Sequence, residues 1–394
     1  MRKYLTTAMA IALMSGVSYA DLQNVEVNGS LRMRANSLQS VGFDENNSNS
    51  SWTEQRTTLG VAADFSEEVS ANITLDNYGV WGDLGSSDTD VELHEAYITL
   101  GNAIAEFDLK IGRQELELGD EFLVGNNSTA SGYDHFSYDG IVATRSTDAF
   151  DITLLNLKLD EEDGFDADEV DEDTDLRGVY VTYNGIENHT IDGYVLQLRT
   201  GQPGADNDEL LTLGARAYGA FGGAFDYEVE FATQSGDMAN DTVDYEGDAF
   251  TAELGYTFDS NLQPRVYVGV ASFSGADDAD EAAFNRMFSD HEYSEFLDEG
   301  NMTNVLVIRA GVGADVSEKV HLSAVVTQLE LDEEILDEDE VGTEIGLYAN
   351  YQYSEDVAVE LGLATFLNGD YIEETVGDDE DDPIYVYAEI SLAF

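Results

Sequence analysis

The chain has 394 residues, 82 acids against 16 bases, a formal net charge of -66 and no cysteine. That balance excludes nucleic acid as a partner, because a phosphate backbone is held by Lys and Arg. It also excludes disulfides, a thiolate nucleophile and cysteine metal ligands.

The first twenty residues read as a secretory signal. Arg2 and Lys3 supply positive charge, Leu5 to Val17 an apolar stretch, and Ser18-Tyr19-Ala20 a small-x-small cleavage site. A mature chain is expected to start at Asp21. No later stretch holds the roughly 20 apolar residues that a spanning helix needs. With no Pro-rich or Gly/Ser-rich linker, residues 21–394 are expected to form one domain.

From residue 25 onward, segments of alternating apolar and polar residues follow one another, joined by linkers that are short, then long, then short. Alternation and turn residues predict strands near 25–35, 52–65, 69–81, 91–100, 105–114, 138–146, 150–159, 176–184, 190–199, 210–221, 224–235, 249–258, 262–273, 302–314, 320–329, 340–352, 357–367 and 384–394. An exported chain whose only membrane-competent elements are strands must close them into a barrel, so that every backbone group is paired in lipid. The fold expected is all-β: a transmembrane antiparallel β-barrel of about eighteen strands in the outer membrane of a Gram-negative, marine or halophilic bacterium.

Tight turns such as Ser66-Glu67-Glu68, Gly222-Gly223, Asp259-Ser260-Asn261 and Ser354-Glu355-Asp356 follow the even strands and mark the periplasmic end. Phe65, Phe107, Phe150, Tyr183, Phe221, Phe225, Phe258, Tyr351 and Phe394 share outward parity beside those turns, as a girdle at the lipid headgroups would. Phe394 ends the last strand, the element through which barrel-assembly machinery is expected to act. The long linkers, near 36–51, 82–90, 115–137, 160–175, 200–209, 236–248, 274–301, 330–339 and 368–383, hold 53 of the 82 acids and one base, Arg286. They are expected to be extracellular loops.

Inward parity is read for Arg32, Arg34, Arg56, Lys110, Arg199, Arg216, Arg265 and Arg309, set against carboxylates such as Asp192, Glu228, Glu230, Glu344 and Glu389. A charge facing lipid at the midplane costs roughly 2–4 kcal/mol, so stability also demands inward placement. These residues are either a ladder of salt bridges lining a water-filled lumen or a field that selects solutes.

Leu109-Lys110-Ile111-Gly112-Arg113-Gln114-Glu115-Leu116, then Gly119-Asp120, then Phe136-Ser137-Tyr138-Asp139-Gly140, depart from plain alternation. The stretch resembles the Gly-Arg-Gln-x-Leu-x-x-Gly-Asp and Phe-Asp-Gly pattern of the alginate-export family of outer-membrane proteins. The resemblance implies a monomeric eighteen-stranded barrel with an arginine-rich lumen for an anionic polysaccharide. It marks Gly112, Arg113, Gln114, Gly119, Asp120, Asp139 and Gly140. Phe122 and Tyr138 depart from it, standing where the family often has Arg and usually Phe. Physically, Gly112 and Gly119 would let the loop turn back into the lumen, with Arg113, counted among the lumen residues, paired to Asp120 or Asp139. These residues either fold the loop or touch solute.

The 160–175 loop packs eleven carboxylates into sixteen positions. Asp166, Asp168, Asp171 and Asp173 are weak candidates for Ca²⁺, and a solvated run is the plainer reading. Glu281 to Phe288 has the spacing of a short amphipathic helix that would lie over the mouth as a lid, and an ordered surface loop is the plainer reading. The five histidines show no spacing of a triad or metal site, so no catalysis and no resident cofactor are expected. The function expected is passive diffusion of small hydrophilic solutes, with anionic oligo- or polysaccharide as a candidate. The alternative is a structural, divalent-cation-binding barrel with a plugged lumen.

Overall fold

The computed structural model describes residues 23–44, 46–47, 49–82, 91–126, 136–161, 173–201, 207–238, 242–278, 280–297, 302–377 and 380–394. Eighteen wall strands follow in order: β1 (Gln23–Gln39), β2 (Ser50–Ser66), β3 (Val69–Val80), β4 (Glu92–Ile104), β5 (Phe107–Gln114), β6 (Tyr138–Ser146), β7 (Phe150–Asp160), β8 (Thr174–Ile186) and β9 (His189–Thr200). The second half comprises β10 (Asp208–Phe221), β11 (Phe225–Met238), β12 (Asp248–Thr257), β13 (Arg265–Phe273), β14 (Val305–Ser317), β15 (Val320–Ile335), β16 (Glu338–Gln352), β17 (Val357–Asn368) and β18 (Ile384–Ala393).

Each strand pairs antiparallel with the next, and β18 pairs with β1 from Ser30↔Ala393 to Gln39↔Ile384. Gly29 and Phe394 complete that seam with reciprocal backbone hydrogen bonds of 3.1 and 3.0 Å. Closure removes every sheet edge, which is what a β-structure in lipid requires. The alternation behaves as the pattern predicts. In β18, Tyr385 and Tyr387 are buried while Val386 and Ile390 are exposed on the outer wall. Phe65, Phe150, Phe221, Phe225, Phe258, Tyr351 and Phe394 are exposed next to the short turns.

Two segments differ from expectation, and a third decides between two readings. The 330–339 stretch, read as a long loop, continues β15 and β16 as a hairpin. Leu336 and Asp337 turn it with φ of 60° and 66°, the left-handed pair that matches the twist of two strands. Within the 368–383 loop, Asp370–Val376 forms a short helix with Ile372 buried. Of the two readings of 281–288, the short helix does not form and the ordered loop does. Only Glu281–Ala282 is regular, pairing in parallel with Asp244–Tyr245. Phe284 is instead buried against Phe122 and Phe273, and Asn285 exchanges backbone hydrogen bonds of 2.7 Å with the Gln234 amide. About two turns of helix are marginal by themselves, and these contacts outweigh them.

Candidate functional site

The site is the lumen, and two loops occupy its long-loop half. The loop after β5 turns inward at Gly119, whose φ of +63° is open to glycine; an added Cβ would lie 2.3 Å from the Tyr180 hydroxyl. It then runs beside the loop after β13. Leu123 O accepts from Phe288 N at 2.9 Å, Phe288 O from Gly125 N at 2.8 Å, and Glu121 O from Asp290 N at 3.0 Å. Phe122, Leu123, Val124 and Phe284 are almost wholly buried in this pair of loops, and Phe122 stacks on Phe273 of β13. Beneath them the inner wall is apolar: Leu157, Leu176, Leu196 and Leu210 are buried.

The clasp between the loops ends in charge. His291 Nε2 lies 2.9 Å from Asp120, and Asp120 lies 3.6 Å from Arg216 of β10. Burial opposes a charged His291, but the hydrogen bond and charge of Asp120 outweigh it and raise its pKa. Burial likewise works to raise Asp120, and His291 with Arg216 reverses this and holds it below the usual aspartate value. Glu121 is pushed up to about 7, by burial first and also by Asp290 and Glu117, against a hydrogen bond from the Asn126 backbone.

Arg216 also reaches Glu228 at 2.6 Å, Asp192 at 3.3 Å and Glu230 at 3.8 Å. Five of the other lumen bases are paired too. Arg32 and Arg34 share Glu389, each at 2.8 Å, Arg56 holds Asp76 at 2.7 Å, Arg265 holds Glu253 at 2.6 Å, and Lys110 stands 3.9 Å from Glu95. Four of these cations lie over tyrosine faces: Arg34 on Tyr387, Lys110 on Tyr97, Arg216 on Tyr218 and Arg265 on Tyr267, 4.0–5.2 Å from the ring centroids. Arg309 stands 5.6 Å from the ring of Tyr293. Loop residues join this wall: Ser294 donates to Glu344 at 2.6 Å, and Tyr348 to Glu295 at 2.8 Å.

Two predicted lumen residues are elsewhere. Arg113 shares the parity of Ile111, which is exposed on the outer wall, and grips Asp139 with two hydrogen bonds of 2.9 and 2.6 Å. Arg199 likewise faces outward, since its neighbour Leu198 is the one that meets buried Leu176 and Leu210 across the sheet. Beside Arg199 the lumen side is taken by buried Leu176, Leu196 and Leu210, and beside Arg113 by Gly112 and the buried Gln114 amide.

The motif glycines support this local wall. Gly112 pairs with Gly140, and a Cβ on Gly112 would stand 2.2 Å from Ala96 O. Their bare backbone carbonyls accept from the buried Gln114 amide at 3.1 and 3.3 Å. His94, at an irregularity in the β3–β4 register, approaches Ser137 at 3.0 Å and Glu115 at 2.6 Å, tying both ends of the loop to β4. A bulge of this kind re-aims a side chain, and alternation alone does not reveal it.

Asp166, Asp168 and Asp171 lie outside the described residues; Asp173 accepts from Lys158. Among the described residues no cluster of three carboxylate or histidine groups has the geometry to hold a metal.

A family model described as "Alginate export" matches residues 23–385. The chain belongs to the alginate export family. It is an outer-membrane channel protein by that membership, and its fold agrees. Among solved structures, OccK8 (OprE) of Pseudomonas aeruginosa is similar with a TM-score of 0.65 at 12% identity, covering 94% of this chain and 98% of that one. OccAB3 of Acinetobacter baumannii gives 0.66 at 8% identity, covering 94% and 100%. OccAB4 of the same organism gives 0.64 at 11% identity, covering 95% and 100%. No curated protein sequence matches this family member.

Proposed function

We propose that this member of the family is a passive channel for small hydrophilic solutes, narrowed by the clasped loops, in which cations are favoured over anions at low salt. The observation that carries the reading is the pairing of six lumen bases, Arg32, Arg34, Arg56, Lys110, Arg216 and Arg265, with carboxylates. Arg216 alone stands among Asp120, Asp192, Glu228 and Glu230. A guanidinium already shared by four carboxylates presents no net positive field to an anion. The carboxylate-rich loops at the mouth add to the same sign.

An anionic oligosaccharide, alginate among them, is the second reading. Family membership favours it, as do the arginines lying on tyrosine faces, which offer a sugar both a stacking surface and charged donors.

Single-channel conductance of the refolded protein in planar bilayers, at about 0.1 M and 1 M salt where screening lengths run from about 10 to 3 Å, tests both. The first reading expects stable conductance with cation preference that falls as salt rises. Concentration-dependent block by uronate oligomers with anion preference would establish the second. A folded but silent barrel would overturn both in favour of a plugged, structural role.

A further inference from the structure

One lumen base stands apart from the rest. Arg309 of β14 holds no carboxylate and no hydrogen-bond acceptor among the described residues, and its Nε is buried without one. Buried donors in native structures are nearly always satisfied, so an open one on a half-buried guanidinium has to be explained. Glu344 of β16 is near enough for its charge to act on Arg309, but its oxygens are turned to the Ser294 hydroxyl and the Glu295 N–H.

Register sets what lies beside it. Glu228 of β11 is opposite Glu253 of β12, Glu253 opposite Gly269 of β13, and Gly269 opposite Arg309. Their neighbours Val229, Leu254, Val268 and Ile308 are exposed on the outer wall, so the inward row reads acid, acid, bare backbone, cation. Packing does not demand that glycine, because an added Cβ would meet nothing nearer than 3.5 Å. Its effect is an open floor between two charged side chains. Arg265 takes Oε1 of Glu253 at 2.6 Å, while Oε2 lies 3.8 Å from the place where that Cβ would stand. An open carboxylate oxygen and an open guanidinium thus flank one gap.

The gap has a definite span. Neighbouring strands lie about 4.8 Å apart, which puts the Glu253 and Arg309 backbones about 10 Å from each other. Two charge-assisted hydrogen bonds of about 2.8 Å leave roughly 4 Å between them, close to the separation of an ammonium and a carboxylate one or two carbons apart by ordinary bond lengths. On the loop side the Tyr293 ring lies 5.6 Å from Arg309 and packs edge-on against Phe273, closing the gap from above. Toward the periplasm Arg309 lines a cavity of about 390 Å³ with Gln263, Tyr267, Ser323 and Tyr348. That is room for a single small solute.

We propose that this gap binds a small zwitterion of the amino-acid class, its carboxylate on Arg309 and its ammonium on Glu253. A plain anion would meet Arg309 but face Glu253 and Glu344, and a plain cation would meet Glu253 but face Arg309 and Arg265. Only a dipolar solute satisfies both ends. The inference names a solute class for the proposed channel and rests on that reading for its use, while binding is measured apart from flow.

Saturation-transfer NMR of the full barrel in detergent, with β-alanine, propionate and propylammonium as solutes of matched size, tests the site. Saturable binding of β-alanine is expected, about tenfold tighter than that of either singly charged analogue. Arg309→Gln and Glu253→Gln are each expected to weaken it about tenfold. Gly269→Val, which keeps both charges and fills the floor, is expected to abolish it. Folding of each variant is read from heat-modifiable gel mobility; should the charge variants not fold, Gly269→Val and the three-solute comparison on the unmodified barrel still decide. Equal binding of propionate or of propylammonium, or unchanged binding by a folded variant, would overturn the proposal. Conductance is the separate control: a conducting barrel that binds no β-alanine sinks this site alone, and a silent barrel that binds it sinks the channel reading and leaves the site standing.

Discussion

The wall under the loops and the wall opposite it are built on the same alternation and carry opposite polarity. On β1, β2 and β18 the inward residues at mid-height are Arg34, Arg56 and Glu389, while Leu59 and Val61 of β2 and Val386 and Ile390 of β18 are exposed on the outer wall. On β7 to β10 near the long loops, Leu157, Leu176, Leu196 and Leu210 face in and Lys158, Arg177 and Arg199 face out. A two-residue period fixes which residues share a face; what lies against each face fixes which one is wet. Arg34 is covered by Glu389 and the ring of Tyr387, and the packed loops cover Leu176.

The sharpest way to break the contrast is to release the loops. Phe122→Ala removes a ring stacked 5.7 Å from Phe273 and tilted against Phe284. A buried Phe→Ala change costs about 3–5 kcal/mol. Because the closed sheet stands without it, β-content is expected to be unchanged while single-channel conductance rises and becomes noisier. Wild-type conductance would mean that the loops do not limit flow.

Gly112→Ala attacks the wall instead. The residue has φ of +130°, and the new Cβ would press on Ala96 O. A backbone held in that region costs of order 1–3 kcal/mol, so the thermal unfolding midpoint is expected to fall. An unchanged midpoint would show that the β4–β5 pair relaxes freely.

The clasp should respond to pH. His291 faces Asp120 from the neighbouring loop, Arg286 in its own loop and Glu230 of the wall. Its pKa is raised, so its ion pair is complete below the ordinary 6.5 and is lost as pH climbs through the raised value. Glu121 is an acid with a raised pKa, facing Asp290, Glu117 and the Asn126 N–H. It favours the clasp while protonated, and that advantage falls away between 4.5 and about 7. Asp120 has a lowered pKa, and its contribution fails only below 3.8. The signs of His291 and Glu121 agree. Conductance is expected to be lowest and quietest in mild acid and to rise from about pH 5 to beyond 7, with His291→Gln flattening the upper part of the rise.

These residues also show what the sequence could and could not tell. The alternation, the short turns and the aromatic ends of strands are local signals, and they located all eighteen strands and the closed barrel. The Gly-Arg-Gln stretch disclosed an inward loop because glycines are needed where Gln114 and Gly119 approach other backbone and side chains. The partner of that loop was hidden. Glu281 to Phe288 has helical spacing, yet Phe284 and Asn285 are claimed by contacts with Phe122, Phe273 and Gln234, which lie far away in sequence. Arg199 was misplaced for a related reason: it ends a strand whose inner face is apolar only because a distant loop covers it.

The smallest effect makes the comparison quantitative. Arg113 and Arg34 both belong to strands and both hold a carboxylate, but Arg113 and its partner are about half exposed, whereas Arg34 is 7% exposed over the face of Tyr387. An exposed pair of this kind is worth about 0–1 kcal/mol. Arg113→Gln is therefore expected to leave conductance and ion selectivity untouched and to shift the unfolding midpoint barely or not at all. Arg34→Gln leaves Glu389 with Arg32 alone and makes the lumen more negative at that level. Cation preference is expected to strengthen at 0.1 M salt, where charges act over about 10 Å, and less so at 1 M, where the range is about 3 Å. If Arg113→Gln altered selectivity as much as Arg34→Gln did, its side would be facing the lumen, and the reversal of polarity between the two walls would have to be abandoned.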